Sequence, residues 1–136
     1  MKFLTAAIIV LALAGVMVSA MALKEHYSNE ASPCQINDKW DCGAVNHSPY
    51  AVFHGFPVAG IGIMGYALLI ALAGRLRIAT AIAAVIGLGF ALWLTQIEAR
   101  VLLVWCVYCV SSQVIIFTIA VLAVIAAIMG RRRTTA

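Results

Sequence analysis

The chain has 136 residues, of which 65% are hydrophobic and only 10% charged, and it carries a net charge of +4. A soluble domain of that size could not hide so much apolar surface, which excludes an ordinary water-soluble globule and makes lipid the expected solvent. The predicted class is an all-α integral membrane protein, a single domain over residues 1–136, with four transmembrane helices and one long non-cytoplasmic loop between the first two.

A hydrocarbon core of roughly 30 Å takes about 20 helical residues to cross. The first qualifying stretch, Phe3 to Leu23, follows Lys2 and runs past Val18-Ser19-Ala20. Those small residues approximate a signal-peptide cleavage site, but the apolar run outlasts a usual signal core, so it reads as a retained span. The long polar segment, residues 24–56, comes next and holds Pro33, Pro49, His26, His47, His54 and most of the charge. Spans 57–73 and 78–97 follow, joined by Gly74-Arg75-Leu76-Arg77, a link short enough to force an antiparallel hairpin. Glu98 to Leu103 forms a second tight link, and the last span covers residues 104–129, ahead of Arg131 to Arg133. Gly60, Gly62 and Gly65 in the second span and Gly87 and Gly89 in the third let helix backbones approach; they could equally line a flat ligand's pocket, with packing the commoner use.

Lys and Arg are retained on the cytoplasmic side of a membrane. Lys2, Arg75, Arg77 and Arg131 to Arg133 fall on one side of this four-crossing plan, with no acid among them. Lys24, Lys39 and Arg100 fall on the other side with all 5 acidic residues, Glu25, Glu30, Asp38, Asp41 and Glu98. Both termini are therefore expected in the cytoplasm, in the inner (cytoplasmic) membrane of a cell. The terminal arginine run reads as a helix-end anchor at anionic lipid, not as a nucleic-acid patch.

The 4 cysteines form two pairs, Cys34 with Cys42 in the loop and Cys106-Val107-Tyr108-Cys109 at the start of the fourth span. All four fall on the non-cytoplasmic face, where disulfides persist. Within a helix, Cys106 and Cys109 share a side, and a helix N-terminus favours a thiolate. Structural disulfides, a four-thiolate zinc site and inert buried thiols compete with thiol–disulfide exchange for these residues. The wide Cys34–Cys42 spacing is loose for zinc, and a membrane helix needs no staple, so exchange is the strongest reading. No metal site is expected. No haem motif, flavin fingerprint or metal-spaced histidine pair occurs, so the electron acceptor is expected from the bilayer, and a quinone matches the two electrons of a dithiol.

Glu98 beside the active pair could handle quinone protons or be an interfacial carboxylate reaching water. The histidines read as solvated or capping residues before proton carriers. Trp105 and Tyr108 suit the aromatic belt of a membrane interface and could also wall a quinone site.

In order, the loop pair Cys34 and Cys42, then Asn46-His47-Ser48-Pro49-Tyr50, Phe53-His54-Gly55-Phe56-Pro57-Val58, Leu94-Thr95-Gln96-Ile97-Glu98-Ala99 and Trp105-Cys106-Val107-Tyr108-Cys109 resemble the bacterial branch of the vitamin K epoxide reductase family. The resemblance implies a relay: Cys34 exchanges with a thioredoxin-like partner, Cys42 passes electrons to Cys106 through an interloop disulfide, and Cys109 faces a membrane quinone, menaquinone or ubiquinone. Ser48 matches the family's loop serine, there to hydrogen-bond a thiolate or steady the loop, against a plain turn-capping role. Many bacterial relatives carry a fused thioredoxin-like domain; this chain ends at Ala136, so the implied partner is a separate, DsbA-type protein on the non-cytoplasmic side, and the implied role is disulfide formation in exported proteins. Gln113 stands where animal members carry a tyrosine, and the second span offers no match to their quinone-contacting asparagine, so quinone reduction is favoured over epoxide reduction. A quinone or epoxide reductase with no dedicated protein partner is the nearest alternative. Non-redox rivals, a four-span exporter or a structural subunit, lack support: an exporter needs an ionisable group deep in a span, and none is present.

Overall fold

The computed structural model describes residues 2–27 and 39–135, the side chains of residues 42, 43 and 131–135 excepted. Among them, five α-helices account for most of the chain: α1 (Lys2–Tyr27), α2 (Cys42–Asn46), α3 (Val58–Ala73), α4 (Arg77–Ile97) and α5 (Val107–Thr135). A two-stranded hairpin, β1 (Val52–Phe53) and β2 (Phe56–Pro57), lies between α2 and α3. The segments Lys2–Tyr27, Arg77–Leu102 and Val107–Gly130 are each long and apolar enough to cross a membrane, while α3, at 16 residues, is shorter than the roughly 20 a perpendicular crossing needs.

The side chains are distributed as lipid demands. Inward positions are mostly small: Ala12, Ala73, Ala81, Ala84, Ala120 and Ala123 are buried, with Ile8, Leu69, Ile116 and Ile119 filling between them. Outward positions carry the large apolar residues, among them Phe3, Met17, Ile82, Ile86 and Phe117. Between lipid-solvated helices no water is expelled, so close backbone approach through alanine and glycine supplies the packing energy. α1 packs chiefly on α3 and α5, and α4 on α5. Of the glycines expected at such contacts, Gly62 and Gly87 do face neighbours, Ser19 and Ile116, whereas a Cβ on Gly60, Gly65 or Gly89 would meet open space.

The element ends differ from the expected ones for identifiable reasons. α1 continues to Tyr27 because its last turn has a partner: His26 Nδ1 donates to the Asn46 carbonyl at 2.6 Å, and Glu25 is buried there. The expected tight link after residue 97 is instead a π-helical turn, Glu98–Leu102, which prolongs α4 and turns Glu98 inward. Leu103, with φ 55°, then reverses the chain. α5 starts at Val107, not at residue 104, so Cys106 precedes the helix.

Two ends of the bundle follow. A Cβ on Gly74 would touch Thr5 Cγ2 at 3.9 Å, so the α3–α4 turn with its arginines shares an end with the start of α1. The close of α1, the π turn, α2 and the start of α5 gather at the other.

Candidate active site

Cys106 is the residue around which this second end is organised. It is fully buried, and its carbonyl accepts the Val110 N–H at 3.0 Å, the bond made by an N-cap residue. From that position its sulfur meets the backbone N–H groups of Tyr108 and Cys109 and the Cys109 thiol. Asn46 Nδ2 donates to it from α2 at 3.6 Å. The hydrogen-bonded Cys109 thiol, with help from those amides, holds the Cys106 thiol below the ordinary cysteine range, against the opposing effects of burial and the Glu98 carboxylate. The expected juxtaposition of the two thiols is thus met by a cap residue and a third helical residue, not by two positions on one helix face.

Local sequence explains how the loop reaches this sulfur. Asp41 caps α2, its carboxylate accepting the Ala44 N–H at 3.1 Å, so a five-residue helix forms directly after it. Residues 39–41 run parallel to the segment before Cys106: the Asp41 N–H donates to the Trp105 carbonyl at 3.0 Å and the Trp105 N–H to the Lys39 carbonyl at 2.6 Å. The Trp40 and Trp105 rings lie 6.3 Å apart across this bridge. Cys42 therefore opens α2 two residues beyond the bridge, and Cys106 stands one residue beyond it on the other strand; the Cys42 side chain and all of Cys34 lie outside the described residues. Val45, on the same short helix, packs against Cys106.

Glu98 is buried at 4% exposure, and its Oε2 accepts the Cys106 N–H at 3.3 Å. Its carboxylate also hydrogen-bonds the Cys109 side chain. Cys109 has one thiol proton and two acceptors for it, the Cys106 sulfur and the Glu98 carboxylate. That arrangement can take a proton off Cys109 without water.

Cys109, Tyr108 and Glu98 also border a cavity of about 620 Å³ between α1, α3, α4 and α5. Its walls are mostly apolar, and its size and character fit a flat, lipid-soluble ring. Tyr50 and Phe53 reach over it from the hairpin region, Phe53 packing edge-on against Phe90 at 5.9 Å and Trp93 at 6.3 Å on α4. Trp105, expected as a further wall, is not among the lining residues and lies against Trp40 instead, because the backbone bridge turns it toward the loop. Ser48 borders the cavity, but its single hydroxyl proton goes to the Val45 carbonyl at 2.7 Å, closing α2. His54 sits at the hairpin turn with φ 51°, next to Gly55 at φ 86°.

Asn46 is the functional candidate that reading the sequence left out. Its only local signal is its place four residues after Cys42, and its partner is 60 positions away. Replacing it with alanine removes a donor to the Cys106 sulfur, so the midpoint of the lowest-pH step in the thiolate absorbance of the reduced protein, that of Cys106, should rise by about one unit. In the unmodified protein that midpoint should lie below the ordinary cysteine range, because the Cys109 thiol and the amides at the start of α5 favour the thiolate. An unchanged midpoint in Asn46→Ala would remove Asn46 from the site.

A family model described as the vitamin K epoxide reductase family matches residues 6–124. No curated protein matches the chain.

Proposed function

The chain belongs to the vitamin K epoxide reductase family, which makes it a membrane oxidoreductase, and from that premise we propose that it oxidises protein dithiols outside the cytoplasm and passes their electrons to a membrane quinone. The observation that carries this reading is the position of Cys109, which touches the Cys106 sulfur on one side and the apolar cavity on the other. A single residue thereby joins thiol chemistry to an apolar cavity.

In the proposed cycle a partner thiolate attacks Cys34 of a Cys34–Cys42 disulfide, and Cys42 leaves as thiolate. The second partner thiol then displaces Cys34, releasing the oxidised partner. Cys42 attacks Cys106 of a Cys106–Cys109 disulfide and Cys109 leaves; Cys34 next attacks Cys42, restoring the loop disulfide and freeing Cys106 as thiolate. Each exchange breaks one S–S bond and forms one. A quinone in the cavity supplies the acceptor for two electrons and two protons that returns Cys106 and Cys109 to a disulfide. Glu98 holds and releases a proton at the Cys109 sulfur, and the apolar walls exclude water. The sum is dithiol plus quinone to disulfide plus quinol.

Four crossings with both termini cytoplasmic complete the reading. The clustering of Arg75 and Arg77 with the start of α1, at the end of the bundle opposite Cys106, supports it. The partner is a separate thioredoxin-like protein of the DsbA type, and the product is disulfide bonds in exported proteins.

The test is anaerobic turnover of the purified protein with dithiothreitol, with and without menadione. Dithiol oxidation should require the quinone and consume it one for one. Equal oxidation without quinone, or none with it, would refute the assignment.

A further inference from the structure

The relay leaves several polar groups of the cavity wall unused, among them Ser19, Thr95 and the pair Tyr66 and Ser112. Tyr66 on α3 is buried, borders the cavity, and sets its hydroxyl 2.9 Å from the Ser112 carbonyl and 2.7 Å from Ser112 Oγ on α5. The ring fits only because α1 has a glycine beside it: a Cβ on Gly15 would clash with Cε1, Cζ and Cδ1 of Tyr66. A phenol carried this deep between three helices is a costly thing to place unless its hydroxyl is satisfied, and Ser112 satisfies it.

Ser112 lies three residues beyond Cys109, so the two share a face of α5 about 4.5 Å apart along its axis, and both border the cavity. That step is comparable with the separation of two opposed carbonyl oxygens on one six-membered ring. The hydroxyls of Tyr66 and Ser112 hold two hydrogens against three local acceptors, namely each other's oxygen and the Ser112 carbonyl. With Tyr66 donating within the pair, the Ser112 hydrogen can turn to a ligand oxygen in the cavity at no loss of satisfaction.

Building on the quinone reading above, we propose that the Tyr66–Ser112 pair is the second polar anchor of the cavity and binds the carbonyl opposite the one at Cys109, selecting para-quinones. Because each hydroxyl can donate or accept, the same pair serves the carbonyl of the oxidised ring and the hydroxyl of the reduced one. The contact positions the ring along α5; it transfers no electrons.

The experiment measures equilibrium binding by quenching of tryptophan fluorescence in the full-length, oxidised protein without dithiol. The probes are menadione, with two opposed carbonyls, and α-tetralone, with one. Ser112→Ala and Tyr66→Phe should each weaken menadione binding about fivefold, the worth of one hydrogen bond, and leave α-tetralone binding unchanged. Unchanged menadione affinity in both variants, or equal loss for both ligands, overturns the proposal while leaving the quinone reading intact. A native protein that binds neither probe overturns both.

Discussion

Cys109→Ser should lower quinone-coupled turnover at least about 10³-fold with any dithiol, since the thiol that is lost is both the leaving group of the exchange at Cys106 and half of the dithiol that quinone reoxidises. A serine hydroxyl is too weak an acid to be ionised beside Glu98 and cannot re-form the disulfide. Cys106→Ser should fall as far, because the cap position with its amide donors then holds no sulfur. Cys34→Ser and Cys42→Ser should behave differently. With dithiothreitol, small enough to reach the buried pair unaided, they should keep turnover; with a thioredoxin-like protein they should lose it. Loss in all four variants with dithiothreitol would break the proposed order of exchange. Retained turnover in Cys109→Ser would detach the cavity from the chemistry. The bridge between residues 39–41 and Trp105 is the reason to expect the split, because it holds the backbone of Cys42 near Cys106 while leaving Cys106 covered by Val45 and Asn46.

The long apolar helices were legible in the sequence because an unbroken apolar run of that length has few other uses. Their ends were less so, since ends are set by tertiary partners. The last turn of α1 depends on His26 meeting Asn46, and the extension of α4 depends on Glu98 turning inward to the Cys106 N–H. Neither contact leaves a local pattern. The five residues of α2 are too few to display a helical period, although Asp41 ahead of them is a capping signal that could have marked it. The hairpin was also open to detection, with His54-Gly55 as turn residues between Phe53 and Phe56. At the site, spacing brought out Cys106 and Cys109, while Asn46, Tyr66 and Ser112 stayed hidden because their roles rest on contacts across 46 to 60 positions. Trp105 shows how a long-range contact sets a side chain's surroundings: the backbone bridge lays it against Trp40, 65 positions earlier, a pairing with no local pattern.

Glu98→Gln should reduce turnover about 10²-fold or more, the usual worth of a positioned acid–base group. Glutamine keeps the shape and a carbonyl oxygen that can still accept the Cys106 N–H, now bonded at 3.3 Å, so the local fold should persist and thermal stability should change little. What it loses is the ability to take the Cys109 proton. The native rate should therefore decline as pH falls, because a protonated Glu98 can no longer accept, and the variant should show a low rate without that acid limb. A pH–rate profile of both proteins with menadione and dithiothreitol separates this from a packing role, which would scale the rate while preserving the shape of the curve. A variant with native rate and native acid limb would leave Glu98 as no more than a strut between the π turn and Cys106.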